Sequence, residues 1–567
     1  MRAVKSISLL AGVARRWASE HPARSVAVLL GVLALYHAFF ALYGLDFSDE
    51  GFYMTFYAHV FSHPDAVEYN YMYYLTGLAG GAVHALMPWA GLLGMRWAGV
   101  AVMVCAAWVC WLLLRRHVPA GALLTGLALV IAGYVNRPYA LGNAMCTALL
   151  YAVAFVMLKR GIATGKWWWS TLAGAVCGMN VFVRIPNVLT AGMVLLPVIA
   201  CCYGLLSRRR AAWSCVAFIA GMVCGVLGVL ALQVPLGHSA PFVRNMTQLF
   251  GIFNVADATA SHSTSSLLQV PALLIVDVSK RLLLFGAMLW LWRMARRRVD
   301  KPAVLWAIAT VLGLGCLALI WRTLPVHLLW CLSVAGGVMV LRAWDDTEVK
   351  LLVWMGLFML LVFPLGSDTF NNQGTLIALV AAPLGVMGLR RLPESKWVLP
   401  MLMAVFVTRM LAGGSFTDGG SFIGKSGEVD APQVAAIHTQ PARAAAINAG
   451  LQALRGHVCP GDTLMVWGDS PMLNYLTETL PYHGNSWPGL LNEPMLRGYL
   501  QGGRPKILVQ KYRNGDYWDD RPYKNIDRPG IDATFASNAK LIAVHDFMVA
   551  HHYRRTVETD HYALFEP

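Results

Sequence analysis

The sequence contains few charged residues. Asp, Glu, Lys and Arg make up 13% of its 567 residues, whereas soluble domains contain about a quarter of such residues. Hydrophobic residues make up 57%. This composition excludes an ordinary soluble protein and indicates a chain that lies in a lipid bilayer. The length is ample for roughly ten or more membrane-spanning helices of about 20 residues each.

Several motifs are also missing. Ten of the eleven cysteines lie inside apolar runs and Cys459 lies alone in a polar region, so the sequence offers neither a disulfide framework nor a CxxC metal spacing. It contains no P-loop, no GxSxG elbow and no HExxH zinc site, which argues against an ATP-driven protein or a protease. The net charge of +15 forms no continuous basic face with interleaved aromatics, so we expect no nucleic-acid partner.

What the sequence does contain is a series of apolar runs. Thirteen of them are long enough to suggest spans, at residues 25–44, 94–114, 118–135, 141–158, 168–183, 188–206, 212–233, 271–292, 302–321, 324–341, 351–365, 375–389 and 396–413. A further run at Tyr71–Trp89 is interrupted by glycines, a histidine and Pro88. We interpret this run as a surface or re-entrant helix.

The distribution of Lys and Arg supports that interpretation. With thirteen spans, 23 Lys and Arg lie on the side of the basic N-terminal segment and eight on the other side before residue 413. Membrane proteins carry an excess of Lys and Arg in their cytoplasmic loops. Counting Tyr71–Trp89 as a span would reverse the side of every later loop and invert this excess. We therefore expect a cytoplasmic N-terminus, a long first outer loop at residues 45–93 and an outer tail. This gives a domain of membrane helices at 1–413 and a second domain at 414–567.

The tail has a different composition, with 16 of the 30 acidic residues and 14 of the 45 basic ones. Its apolar runs predict strands at Thr463–Trp467, Lys506–Gln510, Leu541–His545 and Tyr562–Phe565, a helix at Val434–Leu454 and a shorter helix after Asp469. Alternating strands and helices are typical of an α/β domain. The predicted fold is an α-helical polytopic membrane protein of about 13 spans with a small outer α/β domain.

The first outer loop begins with three carboxylates, Asp46, Asp49 and Glu50, at the end of the first span. One interpretation is structural: Ser48 caps a helix that begins at Asp49, with acidic residues in its first turn. The other is functional, with one carboxylate acting as a general base at the membrane surface. Asp49 and Glu50 are also candidate oxygen ligands for a divalent cation such as Mg²⁺ or Mn²⁺.

Further polar residues on the outer side are candidates for substrate binding. Tyr53, His59 and His63 follow the carboxylates in the first loop, and Asp368 lies in a short polar hairpin between two later spans. A sugar-binding surface uses such residues. An interfacial aromatic belt has the same composition, and a hairpin carboxylate can simply cap a helix end.

Four arginines lie at outer helix ends against the general charge bias: Arg137, Arg184, Arg244 and Arg322. Because a guanidinium matches the geometry of phosphate oxygens, these residues are candidate contacts for a phosphate group. The alternatives are contact with lipid headgroups or a salt bridge to a nearby carboxylate.

Several of these features together resemble the GT-C superfamily of membrane glycosyltransferases, which use polyprenyl-phosphate sugars as donors. The resemblance is to the branch of bacterial aminoarabinose transferases and protein mannosyltransferases. It rests on motifs that occur in order over residues 1–413, namely Asp49-Glu50-x-x-Tyr53, a surface helix at Tyr73–Pro88, a span ending in Arg115-Arg116, Gly174-x-x-x-Gly178 and Val183-Arg184-Ile185-Pro186. Thirteen spans and an outer α/β tail also match the aminoarabinose-transferase branch.

The resemblance implies an inverting transfer in which a loop aspartate deprotonates the acceptor hydroxyl. That role falls on Asp49, with Asp46 as a second candidate, while Glu50 orients the acceptor or helps to hold a metal. The four arginines would contact the donor phosphate, Arg184 being best matched by motif. The acceptor would be a glycan, lipid or protein, and the chain would lie in a bacterial inner membrane with its tail in the periplasm. The stretch from Asn136 to Asn143, where family members often have an acidic residue, has none.

Two other functions are compatible with a polytopic chain. A transporter or flippase for a lipid-linked sugar would show inverted repeats and broken helices at the membrane midplane, and the sequence shows neither. A non-catalytic envelope assembly subunit would bind a partner through its tail and would tolerate changes at Asp49.

Overall fold

The apolar runs of the sequence form a bundle of α-helices in a computed structural model, which describes residues 20–254, 264–365, 374–414, 418–510 and 539–567. The helices of the first two hundred residues are α1 (Pro22–Phe40), α2 (Asp49–His59), α3 (Tyr74–Leu86), α4 (Gly91–Leu114), α5 (Ala120–Ala132), α6 (Asn143–Thr164), α7 (Trp167–Asn180) and α8 (Leu195–Cys202). They are followed by α9 (Arg208–Gln233), α10 (Ser239–Asn254), α11 (Thr264–Arg298), α12 (Pro302–Arg322), α13 (Pro325–Ala343), α14 (Thr347–Val362), α15 (Ala381–Leu389) and α16 (Ser395–Gly413).

Eight helices within the described residues are long and apolar enough to cross a membrane, and they coincide with eight of the thirteen predicted spans. They are Pro22–Phe40, Pro88–Leu114, Asn143–Thr164, Ile185–Cys202, Arg208–Gln233, Pro302–Arg322, Pro325–Ala343 and Ser395–Gly413. The other five predicted runs are also helical but fall on α5, α7, α11, α14 and a 3₁₀ turn followed by α15. The chain is therefore a helical membrane protein.

Small residues allow the helices of the bundle to approach closely. A Cβ atom on Gly174 of α7 would lie 1.9 Å from the carbonyl oxygen of Phe218 on α9, and one on Gly221 of α9 would lie 1.9 Å from that of Thr171. No larger residue fits either position. Close backbone contact of this kind is how membrane helices gain packing energy, because lipid provides no hydrophobic force that drives them together.

The first outer loop folds as two short helices joined by a 3₁₀ segment at Pro64–Tyr73. The α3 helix has 13 residues, whereas a helix needs about 20 to cross the hydrocarbon core. Its glycine face packs on α2, where Gly77 meets the Phe56 ring and Gly80 meets the Tyr57 ring. The interrupted run at Tyr71–Trp89 therefore forms a short helix that packs on α2 at one end of the bundle.

The tail is an α/β unit. Its strands are β1 (Gly427–Glu428), β2 (His438–Thr439), β3 (Thr463–Trp467), β4 (Leu480–Pro481), β5 (Lys506–Gln510), β6 (Arg554–Glu558) and β7 (Tyr562–Glu566). Its helices are α17 (Pro441–Leu454), α18 (Met472–Leu476), α19 (Glu493–Leu500) and α20 (Ala539–Ala550). The main sheet has the order β4-β3-β5-β7-β6, in which β3 runs parallel to β4 and β5 while β7 runs antiparallel to β5 and β6.

Three of the four predicted tail strands are confirmed. The fourth prediction was wrong, because Leu541–His545 lies inside α20. A short apolar run does not distinguish a strand from a buried helix, and here the helix buries Leu541 and Val544 under the sheet. The long Ala-rich helix begins at Pro441 instead of Val434, since a 3₁₀ turn at Pro432–Val434 and β2 at His438–Thr439 precede it.

The tail packs directly on the first outer loop. The backbone amide of Met472 donates to the carbonyl of Phe47 (3.0 Å), and the Thr55 hydroxyl donates to the carbonyl of Pro471 (3.1 Å). Near the end of α1, Gly44 donates to the carbonyl of His438 (2.8 Å). The tail and the loop therefore lie at the same end of the bundle and share an interface.

Candidate functional site

Glu50 is the most deeply buried of the three loop carboxylates. It is fully buried and forms an ion pair with Arg96 of α4, whose Nε donates to Oε1 (2.9 Å) and whose Nη2 donates to Oε2 (2.5 Å). Oε1 also accepts from the backbone amides of Tyr139 and Ala140, each at 3.1 Å. Arg96 in turn donates to two carbonyls at the end of α1. Glu50 and Arg96 together thus connect α1, α2, α4 and the segment before α6.

Asp46 caps the N-terminus of α2. Its Oδ2 accepts from the backbone amide of Glu50 (2.8 Å), and its Oδ1 accepts from the amide (2.9 Å) and hydroxyl (2.7 Å) of Ser48. The expectation that the Ser48 side chain caps the helix is wrong, since Ser48 makes no side-chain cap. Asp46 is 1% exposed, so this carboxylate holds the loop and is closed to solvent.

Asp49 occupies a different position from its two neighbours. It lies in the first turn of α2 and is partly exposed. Its charge acts on groups from two segments of the chain: after burial, it adds to the raised pKa of Tyr53, and it opposes the fall in the pKa of Arg137 that burial causes. Asp49 therefore faces the loop between α5 and α6, where Arg137 lies.

Arg137 is the positively charged side chain opposite Asp49. Burial lowers its pKa, while Tyr134 and Asp49 act in the other direction. Its Nε is buried without a hydrogen-bond partner among the residues described. The adjacent Asn136 has a φ of 56° and donates its amide to the carbonyl of Gly414 at the end of α16 (2.8 Å), which fixes the loop. A buried guanidinium with an unsatisfied donor is suited to bind an anion.

Tyr53 lies one turn after Asp49 on the same face of α2. Burial raises its pKa, and so do the neighbouring Tyr73, Tyr57 and Asp49. Its ring centre lies 5.9 Å from that of Tyr57 and 5.8 Å from that of Tyr73. A group of aromatic rings therefore lies beside Asp49. The Tyr57 hydroxyl donates to the carbonyl of Leu141, which fixes the position of that ring.

His59 and His63 lie at the far end of α2, away from its first turn. Their rings are 5.7 Å apart. Burial, together with the charges of His63 and His84, lowers the pKa of His59 to about 4, while a hydrogen bond to the backbone of Thr479 in the tail opposes the shift. His63 is exposed and contacts the Ser62 hydroxyl. His59 thus lies at the interface between loop and tail, and His63 lies at the surface of the loop.

Arg244 pairs with acidic residues of the first loop. Its Nε donates to Glu68 (2.6 Å) and its Nη2 to Asp65, and these contacts raise its pKa. The adjacent Asn245 is buried and donates to the carbonyl of Tyr69 (3.0 Å). Arg244 thus attaches α10 to the loop, and its charge is already compensated.

The remaining predicted residues do not join Asp49. Arg184 is 6% exposed, donates to the carbonyl of Phe363 (2.6 Å) and lies 4.8 Å from the centre of that ring. It therefore binds carbonyls at the end of α14. Arg322 is exposed at the end of α12. Asp368 lies outside the described residues.

The tail contributes groups that the sequence analysis did not single out. At the carboxyl end of β3, the Asp469 amide and the Ser470 hydroxyl both donate to Gln510 Oε1, at 2.8 and 3.1 Å. The indole Nε1 of Trp487 donates to Asp469 Oδ1 (3.1 Å), and the Trp487 ring lies 6.2 Å from that of Phe52 on α2. This edge of the sheet therefore faces the helix that carries Asp49 and Tyr53.

One sequence signal could have located this edge. A polar Gly-Asp-Ser-Pro segment at 468–471 directly follows the apolar strand β3, and ligands commonly bind at the carboxyl ends of parallel strands. The partner strand β5 ends in the polar Gln510. Trp487 had no such signal, because only the folded tail brings it next to Asp469.

The residues present do not suit the metal site expected from the sequence. Both oxygens of Glu50 already accept hydrogen bonds from Arg96 or from backbone amides, so Asp49 would have to hold a cation without it. Within the described ranges, no group of three or more His, Cys, Asp or Glu side chains could hold a metal ion.

The fold thus brings together the partly exposed carboxylate of Asp49, the buried guanidinium of Arg137 and the aromatic ring of Tyr53, next to the tail domain. A comparison of the sequence with protein-family models and with curated proteins finds no match.

Proposed function

We propose that this chain is a membrane glycosyltransferase that moves a sugar from a polyprenyl phosphate to an acceptor hydroxyl with inversion. The observation that carries the proposal is the electrostatic interaction between the partly exposed Asp49 and the buried Arg137, at the end of the helix bundle. A base and an anion-binding group within electrostatic reach of each other are what transfer from a lipid phosphate requires. The resemblance of residues 1–413 to the GT-C superfamily supports the same assignment.

In this mechanism the Asp49 carboxylate accepts the proton of the acceptor hydroxyl. The hydroxyl oxygen then bonds to the anomeric carbon from the face opposite the phosphate, and the bond between that carbon and the phosphate oxygen breaks. The products are the glycosylated acceptor, a protonated Asp49 and a free polyprenyl phosphate. Arg137 binds the phosphate whose charge increases as the bond breaks, which lowers the barrier.

The scaffold around these two groups favours this division of roles. Asp46 and Glu50 are buried whereas Asp49 is partly exposed, so Asp49 is the one of these three carboxylates that a substrate can reach. Tyr53 would stack against a sugar ring. Arg184 and Arg244 would hold the surrounding elements, because their guanidinium groups bind protein carbonyls or carboxylates.

The acceptor would enter between the tail and the first loop. Asp469 offers a carboxylate for sugar hydroxyls, and Trp487 and Phe52 offer aromatic faces next to it. Aromatic rings with an adjacent carboxylate suit a glycan, whose ring faces are apolar and whose rim is polar. The tail would thereby select the acceptor.

The proposal includes the finer topology expected from the sequence. We propose thirteen spans, a cytoplasmic N-terminus and a tail in the periplasm of a bacterial inner membrane. The excess of Lys and Arg on one side of the bundle supports this orientation. Fusion of a periplasmic reporter enzyme after Pro567 should give an active reporter, and an inactive one would reverse the orientation.

The activity is tested with purified protein in detergent and undecaprenyl-phosphate sugars with a radiolabelled sugar. We expect the label to move to glycolipids or glycans extracted from the cell envelope, with release of undecaprenyl phosphate. Mass spectrometry of envelope glycans from a deletion strain would identify the product that is lost. If no donor is consumed with any extract and the strain loses no glycan, the proposal fails.

A further inference from the structure

A large cavity lies between four helices, and none of the site residues discussed above lines it. It has a volume of about 710 Å³, within the range of small-molecule sites, and it lies between α11, α12, α13 and α16. Its lining is mainly apolar, with contributions such as Phe285, Leu332 and Leu402. The α12 helix contacts the rest of the bundle only lightly: Ile320 is its only fully buried residue. The hairpin of α11 and α12 therefore leaves a space open to the bilayer.

One end of this cavity is positively charged. The chain has five Lys and Arg against one acidic residue over 293–301, and three against one over 390–396. Arg296 lines the cavity at this end and lies 5.8 Å from the centre of the Trp292 ring. Arg293 is paired with Glu394 (3.3 Å), which also lines the cavity. Arg296 lies outside this ion pair, and its charge also helps to lower the pKa of the Glu394 carboxyl.

The charged end and the candidate site lie at opposite ends of the same helices. The cavity extends along α12 to Ile320, and just beyond it the carbonyl of Thr323 accepts from Arg409 of α16 (2.9 Å). The α16 helix then continues to Gly414, whose carbonyl accepts from Asn136 beside Arg137. A donor with its phosphate at Arg137 would not place that phosphate at Arg296.

We propose that this cavity is a binding site for an anionic phospholipid of the leaflet that faces the basic loops. The acyl chains occupy the apolar space between the four helices, and the phosphate lies against Arg296. Basic pockets between membrane helices bind acidic lipid headgroups in this way. The bound lipid would fill the space that α11 and α12 leave and would attach this hairpin to the bundle.

Native mass spectrometry of the purified protein tests this site with three probes: dioleoyl phosphatidylglycerol, dioleoyl phosphatidylcholine and undecaprenyl phosphate. We expect one phosphatidylglycerol to be retained in preference to phosphatidylcholine. Equal retention of the two phospholipids would overturn the proposal. Displacement of phosphatidylglycerol by equimolar undecaprenyl phosphate would also overturn it, because the cavity would then hold the polyprenyl lipid.

Two variants locate the site. Arg296→Ala should reduce retention of phosphatidylglycerol about fivefold, whereas Arg298→Ala, an exposed residue that does not line the cavity, should leave it unchanged. Gly313→Phe should abolish retention, because Gly313 lines the cavity and a side chain there meets open space. Gly286→Phe is its control, since Gly286 also faces open space but does not line the cavity. Equal effects within either pair would refute the assignment.

Discussion

Glu50 and Arg96 form an ion pair in which the side chains are 0% and 3% exposed and the nearest atoms are 2.5 Å apart. The pair joins the first turn of α2 to α4. Removal of one partner from a buried pair leaves the other charge without compensation, which costs about 3–5 kcal/mol. A loss of stability of this size in a Glu50 variant would indicate a structural role for Glu50. A loss of activity without it would indicate a role in the reaction.

We therefore expect Glu50→Gln to lower stability by about 3 kcal/mol or more, measured by thermal unfolding in detergent. The control is Glu493→Gln in the exposed pair with Arg497, which should cost about 1 kcal/mol or less. If Glu50→Gln unfolds at the temperature of the wild type but transfers no sugar, Glu50 acts in the reaction and its structural assignment is wrong.

The contact between loop and tail depends on the absence of a side chain at Gly51. A Cβ atom there would lie 2.2 Å from the backbone nitrogen of Met472. Gly51→Ala should therefore displace the tail and break the hydrogen bond from Met472 to Phe47. Hydrogen exchange of residues 470–476 should increase, although alanine favours the helix itself by about 1 kcal/mol.

The matched control for this change is Gly498→Ala. Gly498 also lies in a helix, but a Cβ atom there meets no other atom within 4 Å. This variant should retain the exchange pattern of the wild type and gain stability. Equal exchange of residues 470–476 in both variants would show that the tail does not rest on Gly51.

Acidification should weaken the same interface through His59. Its pKa falls from an ordinary value of 6.5 to about 4 in the folded chain, so the folded state binds fewer protons than the unfolded state between these values. The resulting stability is present above pH 6.5 and decreases as the pH falls toward 4. The loss amounts to roughly 3 kcal/mol at most, from about 1.4 kcal/mol per unit of pKa.

Thermal unfolding at pH 7.5 and pH 4.5 measures this effect. The wild type should lose more stability on acidification than His59→Gln, which cannot take up the proton. The comparison variant is His63→Gln: His63 is exposed and its charge contributes less to the lowered pKa of His59 than burial does, so this variant should keep most of the pH response of the wild type. Identical pH responses of the wild type and His59→Gln would contradict the role assigned to His59.

The tail should affect binding of the acceptor and leave binding of the donor unchanged. Asp469→Asn removes the charge next to Trp487 and should raise the KM for the acceptor about tenfold, as expected for the loss of one charged hydrogen bond, with the KM for the donor unchanged. Asp546→Asn changes an exposed carboxylate of α20 and serves as the control. An unchanged acceptor KM in Asp469→Asn would exclude the tail from acceptor binding, whereas a parallel change in donor KM would indicate a general structural effect.

The sequence predicted the helical fold better than it predicted the site. Apolar runs fixed the positions of the long helices because membrane burial imposes a strong and continuous pattern. Asp46, Asp49 and Glu50, by contrast, fall within five residues and have the same chemistry. Asp46 is distinguished by local contacts with Ser48 and Glu50. Glu50 and Asp49 are distinguished by Arg96 and Arg137, which lie far along the chain, and no local pattern specifies those two interactions.

The tail shows the same limit. The strand β3 was predictable from its apolar run, yet the meeting of Asp469, Trp487 and Phe52 depends on how the tail packs on the first loop. Leu541–His545 shows how a five-residue apolar segment is compatible with either a strand or a helix until its neighbours are known.

The central claim is that Asp49 accepts the acceptor proton, and the direct measurement is sugar transfer by Asp49→Asn beside Asp46→Asn. We expect Asp49→Asn to remain folded and to transfer at least about 100-fold more slowly, the loss typical of a missing general base. Asp46→Asn should lose stability, by about 1 kcal/mol for a weakened cap, and transfer in proportion to the folded fraction. Undiminished transfer by folded Asp49→Asn would contradict the account.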